Sequence, residues 1–252
     1  MTSGTMDAAV LFDGSFDGFL SVVHAVYYKK ICPITIQTEE KAQLTLCHEP
    51  LFIDSDKEQA AKVFSAVRKK ISYEAAGYVF DAFLSFEEER FMHILGYIRL
   101  GFKVGSMVDS HLREECVRTV HRLAKHVRRE THLLLGFCRF AETKSGVFYC
   151  PITPKNDVLH YIVGHFTSRL AGSQWVIHDK SHGQAAIYDG KEFIITSVPK
   201  DAEVEYADGE AETQELWITF FNNLAIRARH NKKLQRQLLP MYFRGNMTEF
   251  LK

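Results

Sequence analysis

The chain lacks the features that most directly betray a chemistry. Across 252 residues there is no CxxC pair, and the five cysteines (Cys32, Cys47, Cys116, Cys138 and Cys150) are odd in number and widely spaced. This argues against a disulfide framework or a zinc knuckle, and for free, mostly buried thiols in a reducing compartment. Neither GxGxxG nor GxxxxGK[ST] occurs, so no fingerprint supports a bound nucleotide. HExxH is absent too, and His160 and His165 stand five apart, off a shared helix face. Despite twelve histidines, no metal site and no cofactor is expected. No apolar run approaches the roughly 18 residues of a membrane span, and residues 1–5 lack the basic-then-apolar order of a signal peptide. The expectation is a cytoplasmic protein without a membrane partner. Net charge is missing as well, since 31 Lys and Arg balance 31 Asp and Glu. Any face for a polyanion must therefore arise by local clustering.

What is present is an ordinary globular balance, 46% apolar and 25% charged, with nineteen Phe and ten Tyr. Such a chain can bury a sizeable core. Residues 8–12 followed by Asp13-Gly14-Ser15, then Phe16, Phe19, Leu20, Val23 and Tyr27 at helical spacing, predict strand, turn and helix. Residues 31–55 read as irregular, with a short strand at Gln43–Cys47. Helices are predicted at about 57–71, 73–86, 87–100 and 110–136, with Gly101 as the stop of the third. Strands follow at 136–140, 147–152, 174–179, 184–189 and 192–197, with a helix over 156–170. Seven acids without a Lys or Arg make 201–215 an exposed loop. A long helix is predicted from about Thr213 to Leu239, ending at Pro240. The fold class is α+β: a helical N-terminal part (1–135), a central, mainly antiparallel sheet with one helix (136–200) and a long C-terminal basic helix (213–252), packed as one unit.

Two of these helices concentrate positive charge. Arg227 to Lys252 holds seven Lys or Arg against Glu249 alone. Trp217, Phe220, Phe221 and Leu224 form an apolar side upstream. On 110–136, Arg118, His121, Lys125, Arg128 and His132 follow one another at spacings of 3, 4, 3 and 4, which puts them on one helix face. Phosphate recognition needs many such donors. Arg118, Lys125, Arg128, Arg229, Lys232, Lys233 and Arg236 are the candidate phosphate contacts, with Asn231 as a neutral donor. The competing reading of each helix is an ordinary solvated face.

Acid–base candidates are His178, Asp179, His132 and Asp13. A His beside a carboxylate can hold a useful tautomer or move a proton. Adjacent strand residues point to opposite faces, however, so His178 and Asp179 should not touch, and Asp179 can instead open the turn toward His182. Asp13-Gly14-Ser15 can present backbone N–H groups to an anion, or can simply cap the following helix.

Several segments together carry a resemblance. They are Leu11-Phe12-Asp13-Gly14-Ser15-Phe16 with Gly18-Phe19-Leu20; Tyr97-Ile98-Arg99-Leu100-Gly101-Phe102; Arg129-Glu130-Thr131-His132 with Leu135-Gly136-Phe137 and Arg139-Phe140; Trp175-Val176-Ile177-His178-Asp179 with Tyr188-Asp189-Gly190; and Leu216-Trp217, Phe220-Phe221, Ile226, Arg229, Asn231, Leu234-Gln235-Arg236-Gln237 and Pro240. In this order, over nearly the whole chain, they resemble a bacterial family described as DNA metabolism proteins, a domain of unknown function. The resemblance implies work on DNA beside a radical S-adenosylmethionine (radical SAM) protein encoded nearby. It also implies kinship with members fused to a family-X uracil-DNA-glycosylase-like domain. It brings no catalytic residues. This chain has no CxxxCxxC triplet, so radical chemistry would belong to the partner. The reading is an accessory protein that binds DNA, or RNA, for a repair or modification enzyme. The alternatives are an enzyme acting on a base or phosphodiester, and an interaction module with a basic face.

Overall fold

The computed structural model of the protein describes residues 6–41, 50–224, 226 and 231–251. The leader 1–5, the strand expected at Gln43–Cys47 and the candidate Arg229 lie outside the described residues. The chain divides into two compact units, Met1–Val127 and Arg128–Lys252, and the division falls inside a helix.

The first unit opens as the sequence suggests, with β1 (Met6–Phe12), a turn and α1 (Phe16–Tyr28). Ser15 caps α1 by accepting from the Gly18 N–H at 2.9 Å. Residues 31–55 are more regular than expected. β2 (Ile31–Thr38) pairs in parallel with β1, and so does the short β3 (Leu51–Phe52), giving a three-stranded parallel sheet of order β2-β1-β3. β2 contains Pro33, which cannot donate to a ladder. It is tolerated because β2 is an edge and because the β1–β2 register shifts where Ala8 faces Pro33 and Ala9 faces Thr35.

α2 (Lys57–Lys70), α3 (Tyr73–Phe83) and α4 (Arg90–Val104) follow close to their expected places. The α4 stop lies beyond Gly101, at Gly105, which takes a φ of 64° that favours glycine. Gly101 is small for packing: a Cβ there would sit 2.4 Å from Cδ1 of Ile71. The core is aromatic. Phe12 meets Phe91 edge-on at 5.0 Å, and Phe16 meets Phe80 and Phe83 at 4.9 and 5.0 Å. α5 (Glu115–Phe137) buries Val117, Val120, Ala124 and Val127 completely, a stripe at helical spacings of three and four.

The second unit holds a five-stranded sheet of order β4-β5-β6-β7-β8, formed by Ala141–Glu142, Phe148–Ile152, Trp175–Asp179, Gln184–Tyr188 and Phe193–Ser197. Three of its four pairings are antiparallel. β5 and β6 run parallel and are joined by α6 (Leu159–Arg169), so they form a βαβ unit within a mainly antiparallel sheet. Trp175, fully buried, stacks on Tyr188 at 5.1 Å and anchors the sheet. The α+β class holds, with three local corrections. No strand covers 136–140: α5 continues to Phe137, and Arg139 turns back to donate to the carbonyls of Gly136 and Cys138, satisfying the open helix end. The acidic stretch is partly docked. Tyr206 bridges to Thr143, the Ala207 N–H donates to Glu142 O, and buried Glu210 accepts from the Glu142 N–H. The C-terminal segment is helical in two pieces, α7 (Glu210–Leu224) and α8 (Lys232–Leu238), because Asn231 caps a fresh start by accepting from the Leu234 N–H at 3.0 Å.

Candidate functional site

The second unit carries two features with chemical potential. The first lies at the carboxyl ends of the parallel pair, where Ile152 of β5 faces Asp179 of β6. Asp179 is fully buried. Its Oδ1 accepts from the N–H groups of Ser181 and His182 at 2.9 and 3.1 Å, the turn-opening role expected of it. Its Oδ2 lies 2.7 Å from Nδ1 of His182. Gly183, with a φ of 68°, lets the turn close so that His182 folds back over Asp179. Burial alone would lower the His182 imidazole, but the hydrogen bond and charge of Asp179 outweigh it and hold the group above its ordinary value. Asp157, from the loop after β5, joins them: ligand atoms of Asp157, Asp179 and His182 all lie within 4.8 Å of one another. Burial, with the charge of Asp179 added, raises the Asp157 carboxyl above its usual range.

His178 is directed elsewhere. As the strand period requires, it leaves its neighbour Asp179 and pairs through Nδ1 with the Tyr149 hydroxyl at 2.7 Å, deep in the unit. Burial, and secondarily the charge of Lys180, lowers its imidazole below the ordinary value. The two rings form a buried polar pair in the core of the unit.

The second feature is a cavity of about 540 Å³ between the end of α5, α6 and α7. Its lining includes Arg139, Phe140, Phe166, Arg169, Glu210 and Trp217. Trp217 is pinned at its edge, with its indole N–H donating to Glu249 at 3.0 Å, while the Arg139 guanidinium lies 5.2 Å from the ring centroid. Arg139 is held by Glu249 through two hydrogen bonds, at 3.1 and 2.7 Å. Arg169 is exposed at the rim and forms no ion pair among the described residues.

α8 is tied to the same helix that ends at this cavity. Arg129 of α5 donates to the carbonyl of Gln237, and Gly136, two turns along the same helix, lines the cavity. Seven helical residues rise about 10 Å. Lys232, Lys233 and Arg236 are exposed on α8 and make no ion pair among the described residues.

The other sequence candidates are scattered. Asp13, exposed in the first unit, accepts from the Ser15 N–H and hydroxyl at 2.9 and 2.7 Å and serves the cap of α1. His132 is exposed on α5, outside the Asp157 group. Lys125 and Arg128 are exposed. Arg118 bends back to the carbonyls of Leu112 and Arg113. His121, from the same stripe, turns inward to Asp109 at 2.7 Å, leaving the cationic face interrupted. Asn231 spends its side-chain oxygen on the α8 cap. Asp157, Tyr149 and Arg169 went unnoticed in the sequence, and Trp217 was read only as part of an apolar helix side, because nothing in linear spacing joins them to their partners.

No curated protein matches the chain. A family model described as a domain of unknown function, DUF4130, matches residues 88–249. That span covers more than half of the chain, which therefore belongs to the DUF4130 family.

Proposed function

We propose that the protein binds nucleic acid through its second unit, as an accessory to a separate DNA repair or modification enzyme of the radical SAM class. The observation that carries this reading is the pairing of two surfaces in one unit. Lys232, Lys233 and Arg236 stand exposed on α8 without an ion pair among the described residues, and a cavity lined by Trp217, Phe140 and Arg169 opens in the same unit at the end of α5, the helix whose Arg129 donates to Gln237 of α8. Cations hold phosphates without regard to sequence, while an aromatic wall stacks any exposed base. Such a division suits single-stranded or base-extruded substrate. The neutral net charge fits a partner that binds locally and is released, rather than one that coats duplex.

Intrinsic fluorescence tests the cavity. The protein has two tryptophans, and Trp175 is fully buried, so quenching by an added single-stranded oligonucleotide reports Trp217. Quenching that disappears in Trp217→Phe and weakens in Arg169→Ala supports the reading. An oligonucleotide that leaves the wild-type emission unchanged removes the cavity from it.

One observation favours a catalytic alternative. Asp179 and His182 form a carboxylate–imidazole pair of the kind that orients a general base. Loss of a base- or phosphodiester-directed activity in His182→Gln, with binding intact, would move the protein from accessory to enzyme.

A further inference from the structure

Asp157 is the anomaly of the second unit. It stands five residues beyond β5, half-buried, and accepts no hydrogen bond from any described residue. Yet it faces another carboxylate, Asp179, that is wholly buried. Two carboxylates in such a place repel, and a desolvated charge must be offset or neutralised. His182 contributes at most one positive charge against two negative ones, and its Nδ1 is committed to Asp179. Lys200, whose charge reaches His182, pairs with neither carboxylate. The charge of His160 also reaches Asp157, but both histidines are imidazoles, and no Lys or Arg among the described residues pairs with either carboxylate, so the set holds no fixed cation.

The position is also one where sheets hold ligands. Asp179 is the last residue of β6 and Asp157 lies in the loop after β5, and these strands are the one parallel pair among the described strands of this sheet. Loops at that end converge in a crevice that open sheets repeatedly use for binding. The three donors are not loosely held. The Ser181 and His182 N–H groups fix one oxygen of Asp179, and the turn through Gly183 fixes His182. This is the kind of outer support that orients ligands in built sites.

We propose that Asp157, Asp179 and His182 bind one divalent transition ion, zinc or manganese. Two carboxylates with one imidazole suit these ions better than calcium or magnesium, which favour an all-oxygen shell. Three protein ligands leave coordination positions open to water or to a phosphate oxygen, the pattern of a working rather than a purely structural site. A bound ion draws atoms now spread over as much as 4.8 Å to within about 2.0–2.2 Å of itself. The site stands independently of the nucleic-acid reading.

The test is a titration of the intact chain with Mn2+ alone, with free Mn2+ followed by electron paramagnetic resonance. No nucleic acid is present, so the outcome does not depend on the proposed function. The wild type should take up one Mn2+ per chain, which added Zn2+ displaces, as the stability order of these ions requires. Asp157→Asn breaks no hydrogen bond and should fold; it and His182→Gln should each weaken uptake about tenfold or more. Circular dichroism and the melting temperature without metal verify that both variants are folded. A wild type that leaves Mn2+ free at millimolar concentration, or uptake unchanged in both folded variants, overturns the site.

Discussion

Glu249 ties the last residues of the chain to two distant elements: Arg139 donates through Nε and one Nη, and Trp217 through its indole N–H. Its side chain is 2% exposed, so removing its charge leaves the Arg139 guanidinium without its partner. Glu249→Gln should cost about 3 kcal/mol in urea unfolding, and should loosen the Trp217 wall with it. Burial pushes the Glu249 carboxyl up, but the hydrogen bonds from Arg139, its own backbone and Trp217 prevail and hold it below the usual value of 4.5. A depressed folded value means that the unfolded chain takes up the proton first as pH falls. The contribution is complete above about 4.5 and is lost as pH drops through the lowered value; the Gln variant should show a flatter acid limb in stability against pH. Helix caps are simpler. Ser72 accepts from the Ala75 N–H at 2.9 Å, and Ser72→Ala should lower stability by about 1 kcal/mol by the same measurement. The part Asp179 plays in its turn was legible, because an Asp opening a strand turn has local partners. Tyr149 and Asp157 were not, because their partners lie 29 and 22 or more residues away, brought near only by the β5–β6 pairing.

Elements with a clear period match their expected bounds to within about one residue: α2 and the strands β5 to β8 depend on local alternation or on a 3.6-residue stripe, while α6 starts three residues later than expected. The errors have physical causes. β2, where 31–55 was expected to be irregular, carries Pro33, which its edge position and register shift accommodate. One basic-and-apolar helix from 213 to 239 became two, because Asn231 offers its side chain to a new helix start. The consequence is that the cations of α8 are not an extension of α7 but a separate piece. Asn231→Ala should fray α8, seen as faster hydrogen exchange at Leu234 and Gln235, while leaving exchange in β6 unchanged. The sheet has its own liability. β8 is an edge strand exposed along its whole length, with Phe193, Ile194 and Ile195 at 45%, 62% and 39% exposure. Ile194→Lys should therefore reduce concentration-dependent light scattering while shifting unfolding little.

At the scale of the whole molecule, no helix among the described residues is long and apolar enough to cross a membrane. The α+β class follows from the succession of elements, but the division into two compact units does not, because α5 runs unbroken across it. The zero net charge removes any general attraction for polyanions, so the proposed binding rests on the local field of α8 and on the cavity at the end of α5. Family membership carries no function of its own here. The most direct measurement is the salt dependence of affinity for labelled single-stranded DNA, for the wild type and for the Lys232→Ala, Lys233→Ala, Arg236→Ala triple variant. Each lost phosphate contact should flatten the slope of log affinity against log salt by about 0.7, so the triple variant should bind more weakly with a slope flatter by up to about 2. A wild type that fails to bind at low salt, or a triple variant with unchanged affinity and slope, would contradict the central claim.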